Sequence, residues 1–169
     1  MSTDKASPPT HCVNRVSRDR SSPDSFESSY FLNLFSGNAE KRIVNNKVSE
    51  FSWNIRDLQL GSIAEISLIQ MVSNNASDNT TYCIRCNQCY MDGYDSYNIT
   101  SAVLYLGLGL KNPEVPSYHK LISNNLNSIT LVITDDITSN AGIYTGINST
   151  ISFGIVLEVV DYVDSLNTY

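Results

Sequence analysis

The sequence predicts an all-β fold, an antiparallel sandwich of eight strands. Three observations carry this. Near the C-terminus, Ile129, Leu131 and Ile133 share one face of an alternating run. Ile151, Phe153, Ile155, Leu157 and Val159 share one face of a second. Period two is the strand signature, because successive side chains point to opposite faces of a sheet. Six further apolar runs precede these at intervals of roughly 10–20 residues, with turn residues between them and no convincing helix.

The elements follow in order. Residues 1–25 are rich in Ser, Pro and charge, with almost no large apolar side chain. Such a segment cannot bury enough surface to offset its ordering entropy. It is expected to be an extended arm held by a neighbour. Residues 26–169 then form one domain, long enough for a sizeable core. Ser28–Phe35 is a short aromatic strand closed by Ser36-Gly37-Asn38. Lys47–Arg56 places Val48, Phe51, Trp53 and Ile55 as its apolar set, with a slip near Glu50 that suits a bulge. Ser62–Val72 alternates poorly, as a strand buried on both faces would. Asn79–Cys86 is β-branched and aromatic. Tyr97–Leu110 puts Ala102, Leu104, Leu106, Leu108 and Leu110 on one face. Tyr118–Ile122 is brief, and the two C-terminal runs complete the set.

Eight antiparallel strands in two sheets suit a jelly roll, with an immunoglobulin-like sandwich and a closed barrel as alternatives. The Cys…Trp…Cys pattern of immunoglobulin domains is missing, since Cys12 alone precedes Trp53.

Composition narrows the function classes. Residues 1–24 carry +1, which leaves −7 on the remainder of a chain whose total is −6. An acidic body is a poor partner for nucleic acid, whose affinity comes from Lys and Arg. No apolar run is long enough for a helix to span a bilayer. MSTDKASPPTHC lacks the apolar stretch of a secretory signal, so synthesis in the cytosol is expected. The Asn-x-Ser/Thr acceptors at Asn75, Asn79, Asn98 and Asn148 are then read as products of composition.

Chemistry-bearing residues are few. Cys83, Cys86 and Cys89 form two overlapping CxxC spacings, the arrangement that lets thiolates converge on a soft metal when the chain turns. Cys12 and His11 could complete such a set. Within a strand, however, residues three apart face opposite ways, and no second paired knuckle exists. Buried or loop thiols are therefore the favoured reading and no metal or other cofactor is expected. Nucleophilic catalysis needs a base beside the nucleophile, and His11 and His119 are the two histidines. His119 follows Pro113 and Pro116 at a strand entry and reads as a surface residue. Asp135 and Asp136 read as turn formers. Gly107 and Gly109 alternate with leucines and mark a close approach of another backbone. No enzyme activity is expected.

Three segments carry a family resemblance: the Ser-rich entry Ser21–Ser29, the Asn-Asn-Leu-Asn-Ser-Ile segment Asn124–Ile129 with its acidic turn, and the closing strand Ile151–Val160. Together they resemble the small single jelly-roll capsid proteins of large icosahedral double-stranded DNA viruses, their penton or minor capsid proteins. The resemblance implies a structural virion protein made in the host cytoplasm. It implies self-association about a symmetry axis, with a pentamer as one ring size. It also implies contact with the major capsid protein and other minor capsid proteins. Tyrosine suits interfaces that are apolar at one end and wet at the other, which singles out Tyr94 and Tyr97 in the cluster around the cysteines. On the closing strand, Val156, Val160 and Tyr162 beside Glu158 make a half-polar second face expected to meet another subunit. The alternative is a carbohydrate- or receptor-binding jelly-roll module, with exposed tyrosines and Trp53 as the stacking platform. A cupin-type metalloenzyme is disfavoured by two distant histidines.

Overall fold

Alternation of apolar residues resolves into two antiparallel sheets in the computed structural model, which describes residues 13–18, 25–61, 63–90, 101–135 and 146–164. The strands are β1 (Val13–Arg18), β2 (Ser25–Phe35), β3 (Glu40–Val44), β4 (Lys47–Gln59), β5 (Ile63–Ser73), β6 (Thr81–Tyr90), β7 (Ser101–Leu108), β8 (His119–Lys120), β9 (Asn125–Thr134), β10 (Ile147–Asn148) and β11 (Phe153–Asp164). The first sheet has the order β1-β2-β11-β5-β8. The second has the order β10-β4-β9-β6-β7, with β3 paired to β4. Each of the eight expected runs contains or overlaps a strand. Three more were not anticipated. β1 lies inside the stretch read as an arm and pairs with β2. β3 folds onto β4 through Asn45-Asn46, both at positive φ, as a two-residue hairpin with primed-turn geometry requires. β10 spans two residues and pairs with β4.

The two inner faces meet in one core. Leu32, Leu34, Ile155, Leu157 and Val159 come from the first sheet, and Ile84, Ile129, Leu131 and Ile133 from the second. An aromatic cluster closes one end. Phe51 and Trp53 lie stacked with centroids 6.2 Å apart. Phe153 meets Phe51 edge-on at 4.8 Å and Trp53 at 6.4 Å. The indole Nε1 donates to the Phe35 carbonyl at 2.9 Å. Interdigitation of this kind stabilises by excluding water from both sheets at once.

Bulges account for the places where alternation misleads. Between β3 and β4 the register steps from Arg42↔Glu50 to Ile43↔Val48, so Ser49 is the extra residue, one place from the slip expected at Glu50. Between β5 and β11 it steps from Gln70↔Val156 to Leu68↔Leu157, so Ile69 is extra. The uneven alternation of β5 therefore comes largely from this bulge, and the strand is not buried along both faces: Ile63 and Val72 are exposed. Between β6 and β7 the step from Ile84↔Tyr105 to Arg85↔Val103 makes Leu104 extra. Leu104 and Tyr105 are both buried as a result, and Leu106 and Leu108 are turned out to the surface. The single apolar face expected from Ala102 to Leu110 is thus broken.

The glycines beyond this bulge differ from each other. Gly109 has φ +70°, and a Cβ there would strike the Ala76 carbonyl, the close backbone approach expected. A Cβ on Gly107 would meet the Tyr105 side chain, not another backbone.

Candidate functional site

The second face of β11 is the surface to which the sequence assigned a function, and its register fixes its neighbours. β11 lies between β2 and β5, so each outward residue has a partner on both sides. Val156 lies between Asn33 and Gln70, Glu158 between Phe31 and Ser67, Val160 between Ser29 and Glu65, and Tyr162 between Glu27 and Ile63.

Two tyrosine–carboxylate bonds staple this face. Tyr118 donates to Glu158 Oε2 at 2.7 Å, reaching from the loop before β8 across β5. Tyr162 donates to Glu65 Oε2 at 3.0 Å, past Val160. Ser29 Oγ donates to the other Glu158 oxygen at 2.8 Å. Glu158 is thereby buried yet doubly hydrogen-bonded, the condition under which a buried carboxylate is tolerated. Ser67, opposite Glu158, is fully buried, and its hydroxyl has no hydrogen-bond partner among the described residues.

The four outward residues differ sharply in what they can present. Val160 is 2% exposed within the single chain. Val156 and Tyr162 are half-buried. Apolar surface is instead concentrated at the Phe153 end of the face, where Phe35 is 55% and Val72 65% exposed. These two flank Gly154 in the register, and a Cβ on Gly154 would crowd the Phe35 ring at 3.1 Å. Sequence reasoning missed this patch because Phe35 was absorbed into an aromatic strand. The Gly154 that leaves room for its ring was the available signal. Tyr94 and Tyr97 lie outside the described residues.

The three described cysteines all fall on β6. Cys83 pairs with Thr134 and Leu106 on the outward face, whereas Cys86 and Cys89 belong to the core. A bond with Cys89 draws the Cys86 thiol below its usual range, against burial that pushes it up. Cys86 Sγ also lies 3.6 Å from Gln88 Oε1, which accepts from the Thr130 backbone at 2.9 Å. Thus the structure brings Cys86 and Cys89 together and leaves Cys83 on the other side of the sheet. Among the described residues no group of three or more His, Cys, Asp or Glu is placed to hold a metal ion.

The remaining candidates have structural partners. His119 begins β8, with Nε2 3.0 Å from the Ser117 hydroxyl. Asp135 pairs with Lys47 at 2.9 Å. His11, Cys12 and Asp136 lie outside the described residues. Trp53 is 1% exposed inside the aromatic cluster, so it cannot serve as a stacking platform for a sugar.

A polar knot holds the turn before β6. Tyr82 donates to Asp78 Oδ2 at 2.7 Å, Asn75 Nδ2 donates to the same oxygen at 2.9 Å, and the Thr80 N–H donates to Oδ1 at 3.2 Å. The Tyr82 bond, followed by those from Asn75 and Thr80, lowers Asp78 to about 2. Burial and the bond to Asp78 raise Tyr82 to about 12. The signs give two pH windows. A depressed carboxyl contributes stability above its unfolded value, lost as pH falls from about 4 toward 2. A raised phenol contributes stability below its unfolded value, lost as pH climbs from about 10 toward 12. Thermal midpoints measured across both windows are expected to fall at each end. Asp78→Asn should flatten the acid limb, and an acid limb as steep as in the parent chain would count against this role. Asn75 spends its amide in the same knot, so a glycan there would have to break it.

The class these features define is an antiparallel β-sandwich with a stapled outer face and exposed apolar margins. No helix among the described residues is long and apolar enough to cross a membrane. Comparison with family models, curated proteins and solved structures finds no match.

Proposed function

We propose that this chain is a structural building block of an icosahedral virion shell, a penton or minor capsid protein with jelly-roll winding. The observation that carries the reading is the nesting of strand pairs. Set aside β1, β3 and β10, and eight strands remain. The first then pairs with the last, β2 with β11, and the second with the seventh, β4 with β9. The third pairs with the sixth, β5 with β8, and the fourth with the fifth, β6 with β7. The remaining pairings, β11 with β5 and β9 with β6, join these four pairs into two four-stranded sheets. A long antiparallel hairpin rolled on itself has this order, and it is the winding expected of a jelly roll built from two Greek keys.

The resemblance of Ser21–Ser29, Asn124–Ile129 and Ile151–Val160 to viral single jelly-roll proteins supplies the biological class. The surface is compatible with it. Charged residues make up 17% of the chain, and apolar residues are exposed at the sheet margins, which suits a molecule covered by neighbours better than one fully solvated. On this reading the Phe35–Val72 end of the outer face, continued by Val156, meets another subunit or the major capsid protein. Mass measurement of the purified chain, alone and with candidate shell partners, tests it. Rings or stable complexes are expected. A persistent monomer that binds glycans would overturn the reading in favour of a recognition module.

A further inference from the structure

An open sheet edge invites pairing unless it is short, charged, interrupted by proline or covered. The marginal strands of this sandwich can be compared on that rule. β1 carries Arg15 and Arg18. β3 carries Glu40, Lys41 and Arg42 within five residues. β8 has two residues, one of them Lys120. β7 reads SAVLYLGL over eight residues, with no charge and no proline. Among the described residues it ends the order of the six-stranded sheet, with β6 as its neighbour. The bulge at Leu104 turns Leu106 and Leu108 outward, at 60% and 54% exposure, and nearby Val115 is 81% exposed. Between β7 and residues 111–117 runs a groove of about 570 Å³ whose walls include Leu106, Leu108 and Val115, with the oppositely charged Lys111 and Glu114 in the facing segment.

We propose that β7 is the edge through which two copies of this chain join, strand against strand and antiparallel, so that two six-stranded sheets continue as one. Charge selects this occupant. An antiparallel two-fold contact pairs residues equidistant from its axis. Centred on β1 it would set Arg15 against Arg18 of the copy, and on β3 the outcome would depend on register because Glu40 lies beside Lys41 and Arg42, whereas β7 brings no charge in any register. The chain as a whole carries −6, so a margin whose strand is uncharged and whose flanking Lys111 and Glu114 cancel is where two copies approach with least repulsion. Backbone pairing along β7 would satisfy its outward N–H and C=O groups. Leu106, Leu108 and Val115 from each copy supply the apolar centre that specific contacts of about 800 Å² per partner require.

This inference rests on the self-association proposed above and gives it a second surface, a two-fold contact besides the Phe35–Val72 end. The test is the oligomeric state of the full chain by sedimentation velocity and light scattering, over a concentration series from about 1 to 500 µM. The variants are Leu106→Lys with Leu108→Lys, Leu106→Ala with Leu108→Ala, and the control Ile43→Lys with Val44→Lys on β3. All four substituted positions are exposed, so circular dichroism should match the parent chain. The lysine pair is expected to weaken association at least about tenfold, and the alanine pair less, while the control associates like the parent. Should the lysine pair fail to fold, the alanine pair decides. Undiminished association of the β7 variants would overturn this surface and leave self-association standing. A parent chain that stays monomeric throughout would overturn both.

Discussion

Val160→Asp is expected to lower the unfolding free energy by about 3–5 kcal/mol, the scale of an uncompensated buried charge. Val160 is 2% exposed and lies between Ser29 and Glu65 in the register. An aspartate there would be buried opposite one carboxylate and two residues from another, Glu158. Neither Ser29 nor Tyr162 could compensate it without abandoning Glu158 or Glu65. Val156→Asp should behave differently. Val156 is half-buried between Asn33 and Gln70, so the new carboxylate keeps access to water, with a cost of about 1 kcal/mol or less. Urea unfolding of the two variants, followed by circular dichroism, checks the contrast. Equal losses would show that the outer face is not divided as described. Under the shell reading, Val156→Asp should also weaken assembly while the subunit stays folded. From the sequence, both valines belonged to the face expected to meet another subunit. Of the two, only Val156 is exposed enough for a charge there to spare the fold.

Trp53→Ala is expected to cost about 3–5 kcal/mol, from lost apolar transfer and the cavity left beside Phe51 and Phe153. It also removes the donor to the Phe35 carbonyl. Trp53→Phe keeps much of the volume and loses the bond, so about 1 kcal/mol is expected beyond any repacking. Denaturation followed by circular dichroism must be the probe, because Trp53 is the chain's single tryptophan. A Trp53→Ala loss under about 1 kcal/mol would mean that the aromatic cluster is not the rigid end of the core. Phe35 connects this cluster to the surface, since its carbonyl receives the indole while its ring lies exposed beside Gly154. Loosening of the core is therefore expected to disturb the outer patch as well.

The strands themselves were legible in the sequence. Ile129, Leu131 and Ile133, and Phe153 through Val159, mark the inner faces directly, because a side chain's face in a strand follows from its position modulo two. The same parity puts Cys83 and Cys86 on opposite faces of β6, but it fails for Cys86 and Cys89, which the irregular register between Cys86 and Tyr90 leaves together in the core. Neither β3 nor β10 carried a signal, the one because all five of its residues are exposed and the other because it spans two residues.

Tertiary structure alone decided which apolar residues reach the surface. One extra residue at Leu104 or Ile69 reverses the parity of all that follows, and its position is set by the partner strand rather than by the residue itself. That is why Leu106 and Leu108, read as continuing one apolar face with Ala102 and Leu104, are exposed. Val160, read as a contact residue, is buried within the single chain, on a face where Tyr162 and Tyr118 reach across strands to Glu65 and Glu158 through bonds spanning 97 and 40 residues of chain. The sequence by itself determined the inner faces of the sandwich, since these depend on local alternation. Its outer margins depend on register between distant segments, which only the folded chain establishes.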